Sequence, residues 1–323
     1  MDPALDREIY KPSLPPEIIL HIVKSLISPA TASAIALPAS DPISKTLLSL
    51  TLTCRTTYGT ATRLLYSHCL FIDSEAKLSS LLASLHRASE KATADGLKGL
   101  RPPLLQHITS LYLCPGLAQW EEYGPVCQKI SDLFTLASPS LRRLVFNYDF
   151  VNLPPAFGRD LLLEAFSQLT SLEFFCSIKD DLYTYMCNYM DEEDLEKDLP
   201  VWSRWPKLKK LALWGAGITR LEGFWGGIGL LKELQELVLI HPDDTIDVMD
   251  ARNQLRDACW QKKVLSVIFV DGRNWVHEEL LEKNWGECPH ILFKSIATPH
   301  FGPIDRYEYE VTKRIVGGEE LIF

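Results

Sequence analysis

One six-residue pattern recurs along most of this chain and limits its fold more than any other feature. Ile108-Thr-Ser-Leu111-Tyr-Leu113 returns as Leu141-Arg-Arg-Leu144-Val-Phe146, as Leu169-Thr-Ser-Leu172-Glu-Phe174, as Leu208-Lys-Lys-Leu211-Ala-Leu213 and as Leu234-Gln-Glu-Leu237-Val-Leu239. Val264-Leu-Ser-Val267-Ile-Phe269 is a weaker sixth copy. Measured at the fourth residue, the steps are 33, 28, 39, 26 and 30 residues. Each copy is short enough for one strand. The segments between carry apolar residues at helical spacing: Val126, Ile130, Leu133 and Ala137, then Leu161, Leu162, Ala165 and Phe166, then Leu255, Ala258 and Cys259. A strand and a helix in regular alternation predict an α/β fold, a parallel sheet backed by helices, with each unit burying its apolar face on the next.

Alternation along a strand sorts the side chains. Fourth and sixth residues, such as Leu211 and Leu213, are expected to point to the core. The fifth row then reads Tyr112, Val145, Glu173, Ala212, Val238 and Ile268, and the seventh Cys114, Asn147, Phe175, Trp214, Ile240 and Val270. Both are apolar for a solvated face. A contiguous apolar patch marks an interaction surface, and aromatic side chains dominate binding hot spots. Tyr112, Phe175, Trp214 and Ile240 are therefore the expected target-binding residues. The alternative is that the C-terminal segment, with Ile291-Leu292-Phe293, Tyr307 and Leu321-Ile322-Phe323, folds back over these rows.

The repeats resemble leucine-rich repeats with irregular periods. That resemblance implies a solenoid with parallel strands on the concave face and helices on the convex face. The family often places Asn or Cys in the turn after the strand. Here the positions hold Gly116, Asp149, Ser177, Ala216, Pro242 and Gly272, which implies uneven stacking.

The N-terminal region follows a different logic. Pro15 and Pro16 suit a first helical turn, where a missing N–H costs nothing, and Glu17 suits the positive end of the helix dipole. Ile18, Ile22 and Leu26, flanked by Ile19 and Val23, form a stripe wide enough to need cover on two sides. A second helix is expected from Lys45 to Thr53, with Ser44 as its N-cap, and a third from Arg55 to Tyr66. Leu14-Pro15-Pro16-Glu17-Ile18-Ile19, then Leu47 to Leu52, Cys54-Arg55 before Tyr58, and Leu64-Leu65-Tyr66 together resemble an F-box. An Ala/Ser/Pro-rich stretch, Ser28 to Asp41, stands where that family has a short loop; its composition reads as flexible.

An F-box followed by leucine-rich repeats is similar to the substrate-receptor subunits of SCF-type ubiquitin ligases. The resemblance implies docking of a Skp-family adaptor through Leu14, Pro15, Ile18, Ile19, Ile22, Leu48 and Tyr58. Through that adaptor it implies a cullin and a RING subunit, with an unspecified protein target on the repeats. It implies no catalysis by the chain itself. The alternative is a leucine-rich scaffold working outside any ligase. The expected organisation is an N-terminal extension (1–13), an F-box (14–70) with its inserted loop (28–41), a linking helix and first coil (71–107), the repeats (108–289) and a C-terminal cap (290–323).

The charge is unevenly divided along the chain. Residues 1–100 hold 10 Lys/Arg and 9 Asp/Glu, a net of +1, out of −9 overall, so the repeats carry −10. That balance argues against nucleic acid, whose phosphates need Lys/Arg density. Asp180 to Asp198 holds eight acids and one Lys, to be read either as a dock for a basic segment or as a solvated loop. The eight cysteines contain no Cys-x-x-Cys, and the first six residues are polar and acidic; the chain is expected to be in the cytoplasm or nucleus. No run reaches membrane-spanning length. Phosphate-loop, serine-elbow and zinc-protease signatures are missing, so no cofactor, metal or catalytic residue is expected. Gly226-Gly227-Ile228-Gly229 reads as a loose turn.

Overall fold

The computed structural model describes residues 14–28, 33–94, 103–116, 123–148, 158–179, 182, 199–215, 222–240, 265–271, 291–297 and 313–314. Three helices come first: α1 (Pro16–Ser25), α2 (Pro42–Thr53) and α3 (Arg55–His68). Then strands and helices alternate. The strands are β1 (Phe71–Ile72), β2 (Ser110–Leu113), β3 (Arg143–Phe146), β4 (Phe174–Ser177), β5 (Lys210–Trp214), β6 (Glu236–Ile240), β7 (Leu265–Asp271) and β8 (Ile291–Ala297). Between them lie α4 (Glu75–Ala94), α5 (Tyr123–Ala137), α6 (Arg159–Ser167) and α7 (Glu222–Leu230), with 3-10 turns at Pro103–His107 and Val201–Arg204. All eight strands form one parallel sheet in chain order. The α/β class with a parallel sheet is as expected. The sheet is longer than expected at both ends: β1 falls in the linking segment and β8 inside the segment assigned as a C-terminal cap.

The helices start and stop for local reasons. Pro16 opens α1, and the Pro15 carbonyl accepts from Ile18 and Ile19 N–H at 3.0 and 3.2 Å. Asp41, not Ser44, caps α2: its Oδ1 accepts from Ile43 N–H at 2.7 Å, and Pro42 takes the first helical position. Cys54, fully extended at φ −159°, separates α2 from α3. Thr57 Oγ1 donates back to the Leu50 carbonyl at 2.7 Å, so the break is hydrogen-bonded rather than open. Val23, Leu47, Ala61 and Leu64 form the small core of this lobe.

The repeat register holds one correction. Leu111 and Leu144 align with Phe175, then with Leu211, Leu237, Val267 and Phe293. The third unit therefore reads Leu172-Glu-Phe-Phe175-Cys-Ser177, three residues later than the sequence pattern suggests. The steps become 33, 31, 36, 26, 30 and 26, more even than before. Leu169 and Leu172 imitate the motif but precede the strand. Ser177 takes the sixth position, where β2, β3, β5 and β6 carry Leu113, Phe146, Leu213 and Leu239 and where β8 also places a serine, Ser295. The Ser177 hydroxyl is buried without a hydrogen-bond partner.

The fourth and sixth rows pack against α4 to α7 in the principal core. An aromatic column runs through it. Phe166 meets Phe146 edge-on (5.1 Å, 90°) and Phe175 edge-on (6.1 Å, 89°); Phe175 lies 4.9 Å from Trp205, and Trp205 Nε1 donates to the Phe166 carbonyl at 2.8 Å. The glycine run at 226–229 is part of α7 and not a loose turn. A Cβ on Gly227 would sit 3.0 Å from two ring carbons of Trp202, which is buried, so the missing side chain lets that indole lie against the helix. Fully burying a side chain of Leu or Phe size stabilises by roughly 1.5–3 kcal/mol.

Candidate functional site

Two surfaces were expected to bind partners, and the structure treats them differently. The first is the helical lobe. Leu14, Ile18, Ile22, Leu48, Leu52 and Tyr58 are between 48% and 88% exposed. They make up six of the seven large apolar side chains this exposed among the described residues. Four of them, Ile18, Ile22, Leu48 and Leu52, have the same local origin. The stripe on α1 is wider than the lobe core can cover: Val23 turns inward, while Ile18 and Ile22 face out. On α2, Leu47 turns inward and Leu48 and Leu52 do not. Pro15 is exposed and Ile19 half-buried. Of the expected adaptor-binding set, Leu14, Pro15, Ile18, Ile22, Leu48 and Tyr58 thus present side chains to solvent. Leu52 was not in that set, although four leucines among the six residues Leu47 to Leu52 were the signal for it.

The second surface is the sheet face opposite the helices. Its rows form a second apolar cluster of Tyr112, Val145, Cys176, Ile178, Ala212, Val238, Ile240 and Val270, with Phe71, Cys114, Trp214 and Ile268 at its margin. Phe71 stacks on Tyr112 at 4.2 Å and 9°, and Asn147 Nδ2 donates to Tyr112 Oη at 3.1 Å. Burial pushes the Tyr112 phenol and the Cys176 thiol well above their ordinary values, so neither ionises at neutral pH. Of the expected target-binding residues, Phe175 is on the wrong face: the corrected register puts it in the principal core. Tyr112 and Ile240 lie on the expected face but are buried, and Trp214 is half-buried. Glu173, expected in the fifth row, instead precedes β4, where it bridges Arg142 (3.1 Å) and Lys209 (2.7 Å). The Lys209 ammonium, with Arg142 behind it, holds the Glu173 carboxyl below its usual range.

Part of what covers this face is the chain itself. Ser28 to Asp41 was expected to be flexible. Within it, Ala34, Ile35, Ala36 and Leu37 are buried, and Ile35 and Ala36 belong to the second cluster. Small and apolar composition reads as a linker only when nothing apolar lies beneath it.

A polar hollow of about 310 Å³ lies at the edge where the strands begin, lined by Gln106, Thr109, Ser140, Arg142, Glu173 and Lys207 among others. Its groups largely satisfy one another: Ser140 Oγ donates to the Leu105 carbonyl at 2.6 Å, and Arg142 pairs with Glu173. Neither His nor Cys lines it. Among the described residues no group of three or more His, Cys, Asp or Glu could hold a metal ion. No helix among them is long and apolar enough to cross a membrane. The acidic segment 180–198, apart from Leu182, lies outside the described residues, as do Leu255, Ala258 and Cys259 and the apolar C-terminal residues from 315 onward. His68 is the last residue of α3 and Cys69 caps it. No family model matches the chain, and no curated protein matches it significantly.

Proposed function

We propose that this chain is a non-catalytic substrate receptor of an SCF-type ubiquitin ligase. The helical lobe acts as an F-box that docks a Skp-family adaptor, and the repeat stack acts as an irregular leucine-rich array that holds a protein target. The observation that carries the reading is the concentration of exposed apolar side chains on the lobe. Leu14, Ile18, Ile22, Leu48, Leu52 and Tyr58 are solvent-facing on elements otherwise built to bury such residues. A stable interface buries roughly 800 Å² per partner around an apolar centre, and these six side chains would supply that centre. The sequence order Leu-Pro-Pro-Glu-Ile-Ile, then Cys-Arg, then Leu-Leu-Tyr supports the specific choice of partner. The receptor would contribute proximity: holding a target beside the ubiquitin-carrying enzyme raises the local concentration of its lysines.

Purified chain mixed with a Skp-family adaptor tests the assignment. The intact chain is expected to co-elute with the adaptor. Leu14→Ala with Pro15→Ala, and separately Ile18→Glu with Leu48→Glu, should abolish co-elution while leaving stability within about 0.5 kcal/mol, because exposed positions carry little folding energy. Co-elution that survives both double variants refutes adaptor docking through this surface. No co-elution by the intact chain favours a leucine-rich scaffold outside a ligase.

A further inference from the structure

The segment Ser33-Ala34-Ile35-Ala36-Leu37 joins two parts of the molecule distant in sequence. Ile35 and Ala36 are 3% and 1% exposed and pack with Tyr112 and Val145 on the sheet face opposite the helices. Three successive carbonyls of the segment are bound by sheet side chains. Arg143 donates through its two terminal nitrogens to the Ser33 carbonyl at 3.2 Å and the Ala34 carbonyl at 3.0 Å, and Ser110 Oγ donates to the Ile35 carbonyl. Ser110 and Arg143 are register partners on β2 and β3, and both point to that face. At the far end, Leu37 N–H donates to the His68 carbonyl at 2.7 Å, tying the segment to the end of α3.

We propose that residues 33–37 act as a resident internal ligand of the sheet, closing the face over β2 and β3 to other molecules and welding the helical lobe to the repeat stack as one rigid body. A displaceable plug would carry few directional bonds and a free end. This segment has its carbonyls bound one after another and its apolar side chains buried. It runs through a closed turn (Asp41 N–H to the Pro38 carbonyl, 3.0 Å) directly into the capped start of α2. Lifting it off would expose Ile35 and strand the Arg143 and Ser110 donors together. Resting on the receptor reading, the consequence is a fixed geometry. A target on the repeats would be presented at a set distance and angle from whatever the lobe docks, and would bind toward Trp214 rather than at Tyr112.

Hydrogen exchange on the full chain, read by mass spectrometry beside small-angle scattering, tests the weld. In the intact protein, peptides covering 33–37 should be protected. Arg143→Gln and Ile35→Ser should each speed exchange there by about tenfold to a hundredfold, the loss expected from one buried contact set, with β5 and β6 unchanged. Replacing 33–37 by Gly-Ser of equal length should also broaden the scattering distance distribution. If that replacement does not fold, Arg143→Gln alone decides through exchange. Unprotected 33–37 in the intact chain, or unaltered exchange in both point variants, overturns the proposal. Adaptor co-elution run in parallel keeps the two ideas apart: failure of the weld alters only exchange and scattering, and failure of the docking assignment alters only co-elution.

Discussion

The register of the third repeat can be decided by two neighbouring phenylalanines. In the aligned sheet Phe175 occupies the fourth row, is fully buried, and touches Phe166 and Trp205 in the aromatic column. Phe174, one residue earlier, points to the opposite face and is half-buried. Truncating a buried Phe to Ala costs roughly 3–5 kcal/mol through lost transfer energy and the cavity left behind, and the two ring contacts place Phe175→Ala at the upper end. Phe174 loses less area and leaves no enclosed cavity, so about 1–2 kcal/mol is expected at ~25 cal/mol per Å². Urea denaturation of both variants, with slopes compared to exclude a change in the unfolded chain, reads the order. If Phe174→Ala is the more damaging, Phe174 points to the helices, Leu172 holds the fourth row, and the corrected register is wrong.

Other outcomes follow from single contacts. Ser177→Ala should leave stability unchanged or raise it by about 1 kcal/mol in the same assay, because the hydroxyl it removes is buried without a partner. Gly227→Ala should cost about 1–3 kcal/mol by crowding Trp202, and a thermal midpoint unchanged from wild type would contradict that contact. His68 is held below its ordinary value by burial, with the nearby Arg143 charge adding to it. The folded state therefore favours the neutral ring. The unfolded chain takes up a proton as pH falls through about 6.5, so stability should decline from there downward and level off once the folded ring also protonates. His68→Gln should flatten that decline in denaturation curves taken from pH 7.5 to 5.

Much of the repeat region was legible because alternation and helical spacing are written into the sequence. Leu144, Leu211 and Leu237 are buried as expected, and so are Val126, Ile130 and Leu133 on α5. Where reading failed, a local signal was outvoted by packing. Leu169 and Leu172 present the motif spacing without a strand, while Ser177 hides the real copy. Gly227 looks unfit for a helix until Trp202 is seen to need the room. On the lobe, periodicity identified α1, and the exposed residues followed from a stripe too wide for a small core. The site on the sheet face was the least legible. Its apolar rows were read either as an interaction surface or as a face covered by the C-terminal segment, and nothing in Ala-Ile-Ala announces that residues 33–37 cover part of it, because the donors that hold them, Ser110 and Arg143, are 75 and more than 100 residues away.

That separation has a consequence for how the molecule comes into being. The sheet is ordered as the chain is, so each strand can join the growing edge soon after it is synthesised, with contacts local in sequence. The insertion cannot follow that schedule. The helices emerge first, yet Ser33 and Ala34 must wait for Arg143, about 110 residues later, before their carbonyls find a donor. Until β3 exists, Ile35 lacks the sheet face that buries it, so the nascent chain shows one more apolar side chain beside the lobe residues that stay exposed throughout.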